Sequence, residues 1–248
     1  MNTTAKLAGI GAVLALLATP ALAADLRPMY TKAPPPPPPA FSWTGCYVGG
    51  NVGGMWGHKD WTNETVGTTF GQPIGSHDAD SWLGGVQGGC NYQFAGRWVV
   101  GVQGDYDWTD ASGTNLDQIA IGRTDRTRIR NLASVTGRIG YGWDRFLGYV
   151  KGGGAWTRDD YDVFTTATGV TAATASETRS GWTIGVGGEY AFMPNLSAFI
   201  EYDHYDFGTN NNTFLAVGGG AFGIAGIRER EDVVKAGVNV RFLPWTWH

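Results

Sequence analysis

Beyond its first twenty residues the sequence has no apolar run near the roughly 18 to 20 residues that a membrane-crossing helix needs. If the chain enters a membrane, it must do so as a barrel. Charge is scarce at 16%, and the formal net charge of -4 gives no basic face, so no nucleic-acid partner is expected. The four histidines, His58, His77, His204 and His248, show no metal-ligand spacing. The two cysteines make no zinc pattern, and no metal or cofactor is expected. No catalytic constellation appears either, and His204, with Asp206 and Ser180 in the same half of the chain, reads as a rim histidine. Gly218, Gly220 and Gly223 match G-x-G-x-x-G without a βαβ unit around them, so they read as a flexible loop and not as a nucleotide site.

What the sequence does have is glycine and tryptophan, 39 and 11 residues, an unusual combination, since glycine at that density weakens soluble strands and helices. Lys6, the apolar run Leu7 to Ala18, Pro20 and the small-residue site Ala21-Leu22-Ala23 form a secretory signal peptide over 1–23, cleaved after Ala23. Residues 24–40 follow as a proline-rich periplasmic linker. Its six consecutive prolines, Pro34 to Pro39, predict a polyproline II spacer of about 19 Å, a tether more than a PxxP ligand. In an exported chain the even pair Cys46 and Cys90 permits a disulfide.

From 41 to 248 one grammar repeats. Eight segments alternate with period two: Cys46 to Trp56, Trp82 to Phe94, Trp98 to Trp108, Ala133 to Trp143, Phe146 to Trp156, Trp182 to Phe192, Leu196 to Tyr205 and Val233 to Phe242. Each has the length of a tilted transmembrane strand. Their connections alternate between turns of two or three residues and stretches of more than twenty, Gly57 to Ser81, Thr109 to Leu132, Thr157 to Gly181 and Asp206 to Asp232. Short turns on one side and long loops on the other predict an all-β fold, an eight-stranded antiparallel transmembrane β-barrel.

Aromatics fall at two levels, as membrane interfaces require. Trp56, Trp82, Trp108, Trp156 and Trp182 sit where strands meet long connections, while Trp98, Trp143 and Phe242 sit by the short turns or the chain end. The ionisable residues Asp105, Asp107, Arg138, Lys151, Glu189, Glu201, Asp203, Lys235 and Arg241 all share the face opposite the apolar one. An eight-stranded barrel is narrow enough for side chains to fill it, so these groups are expected to pair in the lumen. The expected partners are Glu201 or Asp203 with Lys235, Asp203 lying directly opposite, and Lys151 with Glu189.

Pairing Trp56 with Trp82 would set Cys46 against Tyr92, one diagonal step from Cys90. A slip of two residues would make the cysteines neighbours within bridging reach. Arg123, Arg126, Arg128 and Arg130 form a basic run in the second long connection, where they are candidates to contact lipopolysaccharide phosphates.

"FSWTGCYVGGNVGG" at Phe41 to Gly54, "FIEYDHYDFG" at Phe199 to Gly208 and "VKAGVNVRF" at Val234 to Phe242 resemble the small outer-membrane β-barrel proteins of alphaproteobacteria, the immunogenic or porin-like surface antigens. These are akin in architecture to the transmembrane domain of outer membrane protein A. The resemblance implies both termini in the periplasm, outer-membrane lipid and lipopolysaccharide as surroundings, and insertion by the barrel-assembly machinery. Such barrels end on an aromatic residue, whereas here Leu243 to His248 follow Phe242, so either Phe242 or Trp247 would carry the assembly signal. The expected role is a non-enzymatic one in envelope integrity and surface display, with a narrow or gated porin as the alternative.

Overall fold

The computed structural model describes residues 41–242 except 66, 68, 119, 120 and 218. The expected signal peptide and proline linker and the residues after Phe242 lie outside them. Eight strands follow in order: β1 Gly45–Asn63, β2 Pro73–Phe94, β3 Trp98–Leu116, β4 Arg123–Trp143, β5 Phe146–Thr165, β6 Thr171–Met193, β7 Leu196–Ala216 and β8 Ala221–Phe242. Each pairs antiparallel with its chain neighbours, and β8 pairs back with β1 to close the barrel. Closure leaves no strand edge unpaired, which is what an apolar surrounding demands of a sheet.

The turns at one end are tight because their residues tolerate left-handed backbone. Asp144, at φ 54°, opens a two-residue link between β4 and β5, and Gly96, at φ 78°, serves the link between β2 and β3. This is the turn end of the barrel. At the other, the loop end, the strands run well past the stretches expected of them. Only 64–72, 117–122, 166–170 and 217–220 remain as connections, because most of the predicted long loops continue the sheet.

The reason lies on the outer face. Between the two aromatic levels it carries residues such as Val48, Val52, Val102, Val135, Ile184 and Ile200, all exposed. Ten residues separate Trp56 from Cys46, which faces Phe242 on β8. That is about 33 Å of strand, or roughly 25 Å in height at a tilt near 40°, the depth of an outer-membrane apolar band. Beyond Trp56 the outward residues become His58, Asp60 and Thr62, while Lys59 and Trp61 keep the inward phase. The alternation persists and only its polarity changes, since water replaces lipid outside.

Inside, apolar layers alternate with polar ones. Trp43, Val99, Leu147, Tyr149 and Ala191 close the turn end. Met55, Leu83, Ile129, Leu132, Phe207 and Val233 fill the lumen at the level of the tryptophan ring. Trp61, Tyr161, Val163, Phe214 and Ile227 form a third layer near the loop end.

Candidate functional site: the filled lumen and the charged outer belt

Between the first two apolar layers lies a six-member ion cluster. The ammonium of Lys235 is 2.9 Å from Asp105, 3.3 Å from Glu201, 3.4 Å from Asp203 and 3.6 Å from Asp107. Lys151 lies 2.6 Å from Glu201, 3.2 Å from Asp203 and 3.5 Å from Asp105. All six side chains are buried. Two lysines therefore share four carboxylates, and each lysine has several partners at once.

The register corrects two expectations. Leu196 faces Val240 and not Phe242, so Glu201 stands opposite Lys235 while Asp203 stands opposite Val233. Lys235 still reaches Asp203, because a long side chain spans one diagonal step. The expected pair of Lys151 with Glu189 does not form. Glu189 is level with Leu147, four residues or about 13 Å of strand from Lys151, whose backbone neighbour is Gly185.

Glu189 belongs to a separate network nearer the turn end. It accepts from Ser197 Oγ at 2.5 Å and from Asn239 Nδ2 at 3.1 Å, and it lies 3.5 Å from Arg138. Arg138 is clamped between the rings of Tyr47 and Tyr149, each 4.8 Å from its guanidinium carbon, and donates to Asn91 and Gln103. Arg241 also departs from the expected role. It stacks on Phe41 and Trp43 and donates to the Ser42 carbonyl at 2.9 Å, tying the entering chain into the turn end. An arginine partnered by rings and a carbonyl needs no carboxylate close by.

A second ion cluster, in stretches where the sequence predicts long connections, sits between the tryptophan-level layer and the loop-end layer. Lys59 is 2.5 Å from Glu229 and 3.2 Å from Asp159, and Arg179 is 3.4 Å from Glu229. Tyr161 donates to Asp159 at 3.1 Å. Burial, with the charge of Glu229 beside it, pushes Asp159 up to about 7 against the pull of Lys59. These residues fall in the stretches where long connections are expected, yet Lys59 and Trp61 continue the inward phase of Met55, and Asp159 and Tyr161 that of Ala155. That unbroken phase was the signal available in the sequence.

Cys46 and Cys90 are direct cross-strand neighbours joined by a disulfide, in the register two residues away from the one set by pairing the tryptophans. Trp56 accordingly faces Asp80. The interface aromatics Trp56, Trp82, Trp98, Trp108, Trp143, Trp156, Trp182 and Phe242 all project outward and are exposed.

The four arginines of the basic run do not form one cluster. They lie on β4, where Arg126, Arg128 and Arg130 alternate outward while Arg123 lines a cavity at the loop end. Each outward arginine meets a carboxylate on a neighbouring strand. Arg126 is 2.7 Å from Asp162, Arg128 is 3.4 Å from Asp110, and Arg130 pairs with Asp160. Arg128 and Arg130 border a cleft whose lower wall is Tyr106 and Trp108. His204 also lies on the outer surface, where its Nδ1 is 2.8 Å from Asp232, which accepts from Tyr202 as well. Its nearest acid is therefore Asp232 and not Asp206.

The model of the outer membrane protein beta-barrel domain family matches residues 10–242. The chain is 30% identical over 221 residues to the 31 kDa outer-membrane immunogenic protein of Brucella melitensis, covering 83% of this chain and 91% of that one. It is 27% identical over 222 residues to the 25 kDa outer-membrane immunogenic protein of Brucella abortus, covering 85% and 88%. Among solved structures it is similar in fold to the outer membrane protease OmpT from Escherichia coli. That likeness has a TM-score of 0.52 and 10% identity, over 83% of this chain and 99% of that chain.

Proposed function

Because the chain belongs to the outer membrane protein beta-barrel family, we propose that it is a non-conducting, non-enzymatic barrel whose work is envelope integrity and surface display. The observation that carries this reading is the filled lumen. Three apolar layers and two ion clusters occupy it in series, and their side chains are buried. A permanent aqueous path needs a far wider barrel, of about 16 strands.

In this reading the turn end and both termini face the periplasm, and the loop end presents the surface. The relatives named as immunogenic proteins support display at the surface. Arg128 and Arg130, above Tyr106 and Trp108, suit the phosphorylated sugar headgroup of lipopolysaccharide. The arginines offer planar donors to phosphate, and the rings lie at headgroup level. Their acidic partners leave donor N–H groups over, since a guanidinium carries five.

Planar-bilayer recording of the refolded protein tests the main claim. The expected trace has no stepwise conductance, and a steady open level would refute it. A gated narrow pore is the second reading, favoured by Lys151 and Lys235 sharing Asp105, Glu201 and Asp203, which lets ion pairs exchange without leaving a lysine unpaired. Brief openings that change in frequency in an Asp105→Asn variant would favour it over the closed barrel.

A further inference from the structure

Above the third apolar layer, at the loop end, the lumen opens into a cavity of about 150 Å³. Its apolar side is made by Trp61, Phe214, Val163 and Ile224. The Trp61 and Phe214 rings lie 5.7 Å apart at a tilt of 37°, and Tyr161 meets Trp61 edge-on. Trp61 is 2% exposed, and among the described residues its indole N–H has no acceptor.

The lining is also charged, with Asp117, Arg123 and Asp125, the last directly across from Val163 in the β4–β5 register. Two carboxylates face one guanidinium. Asp125 is 2% exposed and accepts from Asn115 Nδ2 at 3.4 Å. Asn115 is itself oriented by His77, whose Nδ1 lies 2.8 Å from the amide oxygen. An amide oxygen only accepts, so Nδ1 carries the proton, and the amide NH₂ is turned toward Asp125. The carboxylate is thus held in place at the rim of an aromatic pocket.

We infer that this cavity binds a small organic cation with an apolar body about the size of one ring, its ammonium on Asp125 and its body over Trp61 and Phe214. A cavity of this size accepts a benzene-sized molecule. A cation gains both an ion pair and the faces of two aromatic rings. A neutral ligand would add no counter-charge for the Asp125 carboxylate, and an anion would meet two like charges in the lining. The inference does not rest on the closed-lumen reading, since the cavity lies above all three apolar layers.

Burial, followed by the charge of Asp117, raises Asp125 to about 7, against the pull of Asn115 and Arg123. The other titratable groups near it are His77 on β2, which burial keeps low, and Lys59 one layer down. A cation should therefore bind more tightly at pH 8 than at pH 6.

The test is isothermal titration calorimetry of the full chain refolded in detergent, with benzylammonium as probe and benzyl alcohol as its neutral match. Asp125→Asn removes the charge, and Ala225→Phe fills the cavity from β8. Heat-modifiable gel migration verifies that each variant is folded. The expected result is saturable binding of benzylammonium, at least about tenfold tighter than benzyl alcohol at pH 8 and weaker at pH 6. Asp125→Asn should erase both the preference and the pH dependence, and Ala225→Phe should abolish binding. No saturable binding, equal affinity for amine and alcohol, or a signal unchanged in either variant would overturn the inference, the last by marking detergent partition.

Discussion

Lys235 is the residue on which the inner cluster most depends, since four carboxylates lie within 3.6 Å of its ammonium. Replacing it by methionine keeps the volume and leaves Lys151 alone among those acids. Removing one partner from a buried pair costs about 3 to 5 kcal/mol. A urea titration should register that loss for Lys235→Met, and a midpoint equal to that of the wild type would exclude the role given to it. Asp125 makes a second, pH-dependent case. The fold raises it from the ordinary value of 3.8 to about 7, so the acid form is the one the folded state prefers. Its stabilisation is full below about pH 4 and fades as pH rises through 7. Asp125→Asn should remove that decline, gaining on the wild type by up to about 4 kcal/mol between pH 4 and pH 9, at about 1.4 kcal/mol per unit. Urea midpoints across that range measure it. The charged residues were readable from their common phase, but their partners were not, because phase assigns a face while register assigns a neighbour.

At the level of the strand, the abundance of glycine finds its reason in the lumen. Gly53 on β1 faces Lys235 on β8, and a Cβ built there would lie 2.9 Å from the Lys235 Cβ and 2.4 Å from the Val234 carbonyl oxygen. Gly185 on β6 makes the same room beside Asp203 on β7. Charged side chains can cross so narrow a barrel only by lying over neighbours that have none. Gly53→Leu should therefore cost about 1 to 3 kcal/mol or more through overpacking. An outward change of the same size, Gly50→Leu, should cost less, since a Cβ at Gly50 meets only the Gly85 carbonyl oxygen at 3.7 Å. Equal losses in the two variants would argue against the crossing. The first hairpin carries a covalent prediction: the unreduced chain should have no alkylatable thiol and a mass two hydrogens below that of the reduced chain. Two reactive thiols in freshly isolated outer membrane would contradict the Cys46–Cys90 bridge. The strand ends were the least legible feature. The apolar outward face ends at Trp56, Trp108, Trp156 and Trp182, although the inward phase runs on beyond them.

The barrel as a whole is a closed cylinder that stands in the membrane over part of its length and in water over the rest. Every strand is paired on both sides, so the barrel should resist detergent until heated. Boiled and unboiled samples are accordingly expected to migrate at different positions on a gel, and identical mobility would remove the basis for a closed barrel. Polar and apolar layers alternate along the lumen, and the aromatic layer of Trp61, Tyr161 and Phe214 lies where the strands have left the membrane level. The same cylinder thus carries a membrane anchor at the turn end and a water-exposed extension with its own core at the loop end.

The sequence by itself determined the strand count, the antiparallel order, the two aromatic levels and the inward set of charges. Each of these follows from side-chain alternation and local turn chemistry, which act within a few residues. Only the tertiary structure decided that Glu201 faces Lys235, that Glu189 goes to Arg138, and that Cys46 meets Cys90 directly. It also decided that Lys59, Asp159 and Glu229, drawn from three distant segments, form one buried cluster. Those outcomes depend on the register between strands, and a shift of two residues preserves every side chain's face while changing every side chain's partner.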